Sequence, residues 1–217
     1  MAIAEVTAQR NTVSGTLSNA YPNNVTIGSL LVVGIAGAGP LLTISATGSG
    51  APTSWAQINL QLVNASDVHT YIAWGIATAT GACTVAITGL TFVSMTVTEF
   101  TGASDVAGLP LPSWGRGINT GPAVTQPLVP DGALVLGIVT YAGTATIAQA
   151  GGWALSGEYE TYASNYTHSL INQVASGAGT YTPTWTTSGT VTWASMAIVI
   201  LEPSSGGGGG GSCTFLG

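Results

Sequence analysis

The sequence predicts an all-β protein: a jelly-roll-like antiparallel β-sandwich of about ten strands, with an internal pseudo-repeat and extended terminal arms. Three observations carry this. Thr, Val, Ile and Tyr occur in short runs punctuated by Gly, Pro, Asn and Ser, the composition of strands and turns. No stretch long enough for a helix keeps an apolar 3.6-residue period. The chain also resembles itself across its midpoint.

Taken in order, residues 1–20 are polar with alternating Val and Thr, and read as an N-terminal arm. Strands are expected at Leu30–Ala36, Trp55–Val63, His69–Ile76, Cys83–Thr88 and Phe92–Phe100. A second set falls at Ala133–Tyr141, Trp153–Tyr159, Tyr166–Val174, Thr180–Trp185 and Trp193–Leu201. The two sets match: LLVVGI from Leu30 with ALVLGI from Ala133, His69–Ile72 with His168–Ile171, and Val93–Val97 with Ala194–Ile198. Trp55 and Trp153 fall at matching places. The pseudo-repeats are 21–102 and 125–203, making one sandwich over 21–203.

A strand alternating apolar and polar residues has one face to bury, and half a sandwich cannot bury it alone. The two halves are therefore expected to face each other as one sandwich; the alternative gives each half an immunoglobulin-sized sandwich of its own. The connector contains LPLPSWGRG, and its Leu109, Leu111, Trp114 and Ile118 read as a segment packed along the body.

Charge narrows the function. Lys+Arg is 2 and Asp+Glu is 8, for a net charge of -6. Phosphate neutralisation needs clustered Lys and Arg, so nucleic acid is not an expected partner. An anionic membrane is a poor one too, and the longest apolar run, Leu30–Ala38, is too short for a membrane helix. Only 5% of residues are charged, against about 25% in ordinary domains. Such a surface suits a packed assembly or an extracellular particle. The opening MAIAEVTAQR does not read as a secretory signal.

Catalytic chemistry finds little support. His69 and His168 match in the repeat, with Asp67, Glu158 and Glu160 nearby in sequence. A metal site needs three or four converging ligands, and the plainer reading is two histidines on exposed strand faces. No metal or cofactor is expected. Glu99, Asp105, Glu158 and Glu160 could pair for glycoside hydrolysis, but acidic residues at a sheet edge also discourage edge-to-edge pairing. No G-x-S-x-G elbow is present, and the chain is expected not to be an enzyme. Trp114, Tyr162 and Tyr166 are the candidate ligand-facing aromatics, with a glycan as ligand; Trp55, Trp74, Trp153, Trp185 and Trp193 read as packing residues.

Cys83 lies in the expected strand GACTVAIT, and Cys213 in the ending SSGGGGGGSCTFLG. They are disulfide candidates, within one chain or between neighbours, and such a bond would imply an oxidising setting. Residues 204–217 read as a C-terminal arm with Gly206, Gly211, Cys213, Phe215 and Leu216 as partner contacts. Ordering glycine is costly, so the run implies a narrow path.

The layout PDGALVLGIVTY, then ETYASNYTHSLINQVASGAGTYTPTW, then VTWASMAIVILEP, resembles a β-sandwich family of phage structural proteins and some bacterial surface proteins. NNVTIGSLLVVGIAGAG with YIAWGIATATGACTVAIT and VTEFTGA is similar to the first half of that pattern. The resemblance covers roughly residues 20 to 203. It implies a jelly-roll fold used in head decoration, fibres or receptor contact, and brings no catalytic residues with it. The expectation is a capsid decoration protein on the virion exterior, a homo-oligomer (a trimer favoured) clamped on the major capsid protein or other virion subunits. The alternatives are a carbohydrate- or receptor-binding module of a tail fibre or adhesin, and a filament subunit.

Overall fold

A computed structural model describes residues 2–6, 11–14, 18–38, 43–61, 69–103, 112–143, 145–159 and 166–203. The strands of the first unit are β1 (Ala4–Glu5), β2 (Asn11–Ser14), β3 (Ser18–Ala20), β4 (Leu30–Ala38), β5 (Thr43–Thr47), β6 (Ala56–Gln61), β7 (His69–Ile76), β8 (Thr84–Thr88) and β9 (Thr91–Thr101). Those of the second are β10 (Ser113–Asn119), β11 (Gln126–Val129), β12 (Leu134–Ala142), β13 (Ile147–Gln149), β14 (Ala154–Tyr159), β15 (Tyr166–Val174), β16 (Gly179–Tyr181), β17 (Trp185–Thr187) and β18 (Val191–Ile200). The described residues contain no helix.

The two units are wound alike. The first builds an inner sheet ordered β1-β9-β4-β7-β6, with β2 also on β9, and the second an inner sheet ordered β10-β18-β12-β15-β14. Smaller outer sheets, β3-β8-β5 in the first unit and β11-β16 with β13-β17 in the second, cover their far faces. Leu30, Val32, Ile72 and Phe100 meet Leu134, Leu136, Ile138, Leu170 and Met196 in one central core. Separate cores lie under each outer sheet, one around Leu31, Val33, Tyr71, Val85 and Met95, the other around Val139, Tyr141, Ile171, Trp185 and Trp193.

The fold is therefore four layers deep. The facing halves expected from the sequence exist as the inner sheets, but each half also closes a sandwich of its own. That is why LLVVGIAGA is apolar throughout: all nine residues of β4 are buried, with one face in the central core and the other in an outer core.

The sequence repeat is real but displaced by one residue. Gly28 (φ 78°) and Gly132 (φ 75°) occupy the third positions of matching turns, where a positive φ favours glycine. Gly28 N–H donates to Ala77 O and Gly132 N–H to Ala175 O, both at 2.9 Å; Ala77 and Ala175 return bonds to Ser29 and Ala133. The turns align Leu30 with Leu134, Thr70 with His168, and Ser94 with Ala194. The sequence match had instead aligned Leu30 with Ala133, His69 with His168, and Val93 with Ala194. All three strands slide together, so cross-strand partners stay consistent while every side chain changes face.

Other expectations change for local reasons. The single strand expected at Thr180–Trp185 is split into β16 and β17 around Pro183, which has no N–H for a ladder. Within the segment read as an N-terminal arm, β1 and β2 pair with β9 and β3 pairs with β8, so these residues belong to the body. The connector supplies β10 and β11; of the four residues expected to pack along the body, Trp114 and Ile118 point outward, and Leu109 and Leu111 lie outside the described residues. The arm at 204–217 lies outside the described residues.

Candidate functional site

Where the inner sheets meet, one flank is polar. His168 of β15 is fully buried. Its Nδ1 lies 2.7 Å from Ser94 Oγ and its Nε2 2.8 Å from Thr96 Oγ1, both on β9. Burial lowers the His168 pKa from 6.5 to about 3, so the ring is neutral, with one nitrogen donating and the other accepting. Thr96 Oγ1 also lies 2.8 Å from Thr12 Oγ1. Further along the seam, Asn172 Nδ2 donates to Glu5 Oε2 (2.8 Å) and Ser156 Oγ (2.6 Å), while Thr98 Oγ1 donates to Glu5 Oε1 (2.9 Å).

The sheets cross with an approximate twofold relation: β14 lies on β9 as β18 lies on β6, and β15 on β4 as β12 on β7. Turn alignment pairs His168 with Thr70, Ser94 with Ala194, Thr96 with Met196, Thr98 with Ile198, and Asn172 with Trp74. One flank is thus hydrogen-bonded and its counterpart largely apolar. The seam fixes how the units sit: His168, Ser94, Thr96 and Thr98 are buried in it, and Glu5 and Thr12 lie part-exposed at its rim.

The two histidines matched in the sequence are separated by the one-residue slide. His69 lies on the outer face, stacked on Tyr71 with ring centroids 5.9 Å apart and Nδ1 3.1 Å from the Tyr71 hydroxyl. Neither lies on an exposed face: His69 and His168 are both buried. No group of three or more metal-ligating side chains converges among the described residues. Glu99 is also buried, accepting from Thr26 N–H at 2.8 Å and from the Tyr21 hydroxyl at 3.4 Å. Burial first, and then the Glu99 charge, raise the Tyr21 pKa. At the corresponding place in the second unit stand Pro130, which has no N–H, and Val199. Asp67, Asp105 and Glu160 lie outside the described residues, and Glu158 pairs through its backbone with Ser169.

Cys83 is a free thiol 1% exposed, packed with Val85 and Ile87, and burial pushes its pKa up to about 11. It sits in a core rather than at a surface suited to crosslinking. Cys213, Gly206, Gly211, Phe215 and Leu216 lie outside the described residues, as does Tyr162. Tyr166 opens β15 opposite Ala142.

Trp114, among the expected ligand-facing aromatics, is exposed. On the edge strand β10, Trp114 (64% exposed), Arg116 and Ile118 (68% exposed) point outward in alternation. Gly115 and Gly117 face the other way, flat against the Trp193 indole; a Cβ on Gly117 would lie 2.8 Å from Trp193 Cζ2. Asn119 Oδ1 holds that indole in place, accepting from Trp193 Nε1 at 3.0 Å and from Gly121 N–H at 2.9 Å. The WGRG spelling therefore puts bulk on one face and none on the other. Its outward row was foreseeable from period-2 alternation, had the connector been read as a strand.

Fold and surface together define an all-β protein of two packed sandwiches with an apolar, singly cationic row on one sheet edge. The chain matches no protein-family model, and no curated protein or solved structure matches it significantly.

Proposed function

We propose that the chain is a non-enzymatic virion structural protein, a phage capsid decoration protein that binds the particle exterior. The observation carrying this reading is the Trp114–Arg116–Ile118 row on the edge of a nearly uncharged body. Two large apolar side chains on one free strand are a contact surface in waiting. Burying each stabilises a complex by roughly 1.5–3 kcal/mol, and Arg116 between them orients the contact.

The strand path supports the same reading. In the second unit β10 to β14 step between the inner and outer sheets, β14 and β15 pair side by side in the inner sheet, and β16 and β17 both lie outside before β18 returns. The β10-β18-β12-β15 part of this order resembles one sheet of a jelly roll, a fold recurrent in viral capsid and lectin domains. Oligomerisation, as a trimer, and the 204–217 segment would add contacts beyond this row.

The test is co-sedimentation of the purified protein with capsids stripped of decoration. Trp114→Ala and Ile118→Ser should each weaken binding while leaving the thermal midpoint unchanged. Binding indifferent to both changes, or no association with any capsid, would sink the proposal.

A further inference from the structure

We infer that a groove beside Trp55 in the first unit is a subsite for a neutral sugar ring. It lies between β5 and the start of β6, is open to solvent with a volume of about 450 Å³, and is lined by Thr43, Ser45, Thr53, Ser54, Trp55 and Gln57 among others, none of them charged. That volume is in the range of small-ligand sites. A second groove of about 220 Å³ shares Thr53 and Ser54 and runs on to Trp74 and Thr78. The Thr53–Ser54 ridge is thus flanked on both sides by tryptophan-lined hollows.

Trp55 makes the first groove more than a dent. It is half-buried, packed with Ile44 and Ala46 against the outer core, and its remaining surface lines the groove. Its indole Nε1 is shut off from solvent and has no acceptor among the described residues. A buried indole N–H normally finds a partner, so this ring, which lines the groove with its other atoms, has an unmet demand for an oxygen.

A pyranose answers each feature. Its C–H face packs on an indole. Its hydroxyls pair with the Thr, Ser and Gln side chains, which both donate and accept. A ring or hydroxyl oxygen can supply the missing acceptor once side chains at the groove adjust around it. Sialic or uronic acids would call for Arg or Lys, and the lining has neither; the class is a neutral hexose or N-acetylhexosamine. The capsid-contact proposal does not bear on this site, which uses different residues on a different unit.

The full chain should bind neutral oligosaccharides on an array and, in titration with the best of them, shift the Trp55 indole ¹H–¹⁵N resonance. Trp55→Phe removes the donor and keeps an aromatic face; Gln57→Ala trims the lining and leaves Trp55 alone. Each should weaken binding at least about fivefold at an unchanged thermal midpoint, and Trp114→Ala should not. Should Trp55→Phe lower the midpoint, Gln57→Ala and the resonance shift decide. Silence across neutral glycans up to about 10 mM, preference for acidic glycans, or affinity untouched by Gln57→Ala with no shift at Trp55 overturns the inference.

Discussion

His168 Nδ1 lies 2.7 Å from Ser94 Oγ, which ties the second unit to the first through a buried, neutral imidazole. Both ring nitrogens are engaged, so protonation would turn the accepting nitrogen into a donor facing a hydroxyl that must reorganise.

The first prediction concerns acid. The folded pKa is about 3 and the ordinary value 6.5, so below pH 6.5 the unfolded chain binds a proton that the folded chain refuses. The contribution is complete above pH 6.5 and drains away as pH falls toward 3, by up to about 1 kcal/mol per pH unit. Urea midpoints at pH 7 and pH 5 should show the loss, and His168→Asn should flatten the slope over that interval. Equal slopes in the two proteins would refute the assignment.

A second prediction follows from close approach at the central core. A Cβ on Gly34 would lie 3.1 Å from Ile138 Cδ1 and 3.4 Å from Leu170 Cδ2. Gly34→Ala can be absorbed by rotation of those side-chain ends. Gly34→Val cannot, and should cost about 1–3 kcal/mol through overpacking, measured by denaturant unfolding.

The third uses the second unit as a template. Glu99→Val strips the acceptor from Thr26 N–H and the Tyr21 hydroxyl, and should cost about 1–3 kcal/mol. Thr26→Pro removes that N–H, copying the Pro130 and Val199 arrangement. The double variant should be more stable than the sum of the single losses allows, though still short of wild type because Tyr21 remains unpaired. A double-mutant cycle with no coupling would contradict this.

The fourth tests the buried thiol. In a Cys213→Ser background, Cys83 should resist a thiol reagent at pH 8 until denaturant is added, because it is buried and its pKa lies near 11. Rapid labelling of the native protein would place Cys83 at the surface instead.

Much of this architecture could be read from residues alone. His69–Ile76 and Tyr166–Val174 were expected as strands and are strands at those bounds, because long runs of β-branched and aromatic residues leave little choice. The short strands escaped. SWGRGIN of β10 carries two glycines, and β1, β3 and β13 span two or three residues, held by pairing with distant partners that local composition does not announce. Side-chain direction escaped for another reason. Strands buried on both faces lose the alternation that would mark in from out, so a one-residue slip between the repeats leaves no trace in the letters. The Trp55 groove was missed because an indole that packs and an indole that binds are spelled alike.

The uneven flanks of the central interface bear on how molecules avoid mistakes. Two first units from separate chains, crossed in the same way, would set Thr70 where His168 belongs, opposite Ser94 and Thr96. The ring that satisfies both hydroxyls would be missing from both sides. Two second units would bring His168 onto Ala194 and Met196, burying its nitrogens against carbon and sulfur. Each unit is thus a poor match for its own kind and a good one for its sibling, which favours closure within a chain over exchange between chains during folding at high concentration.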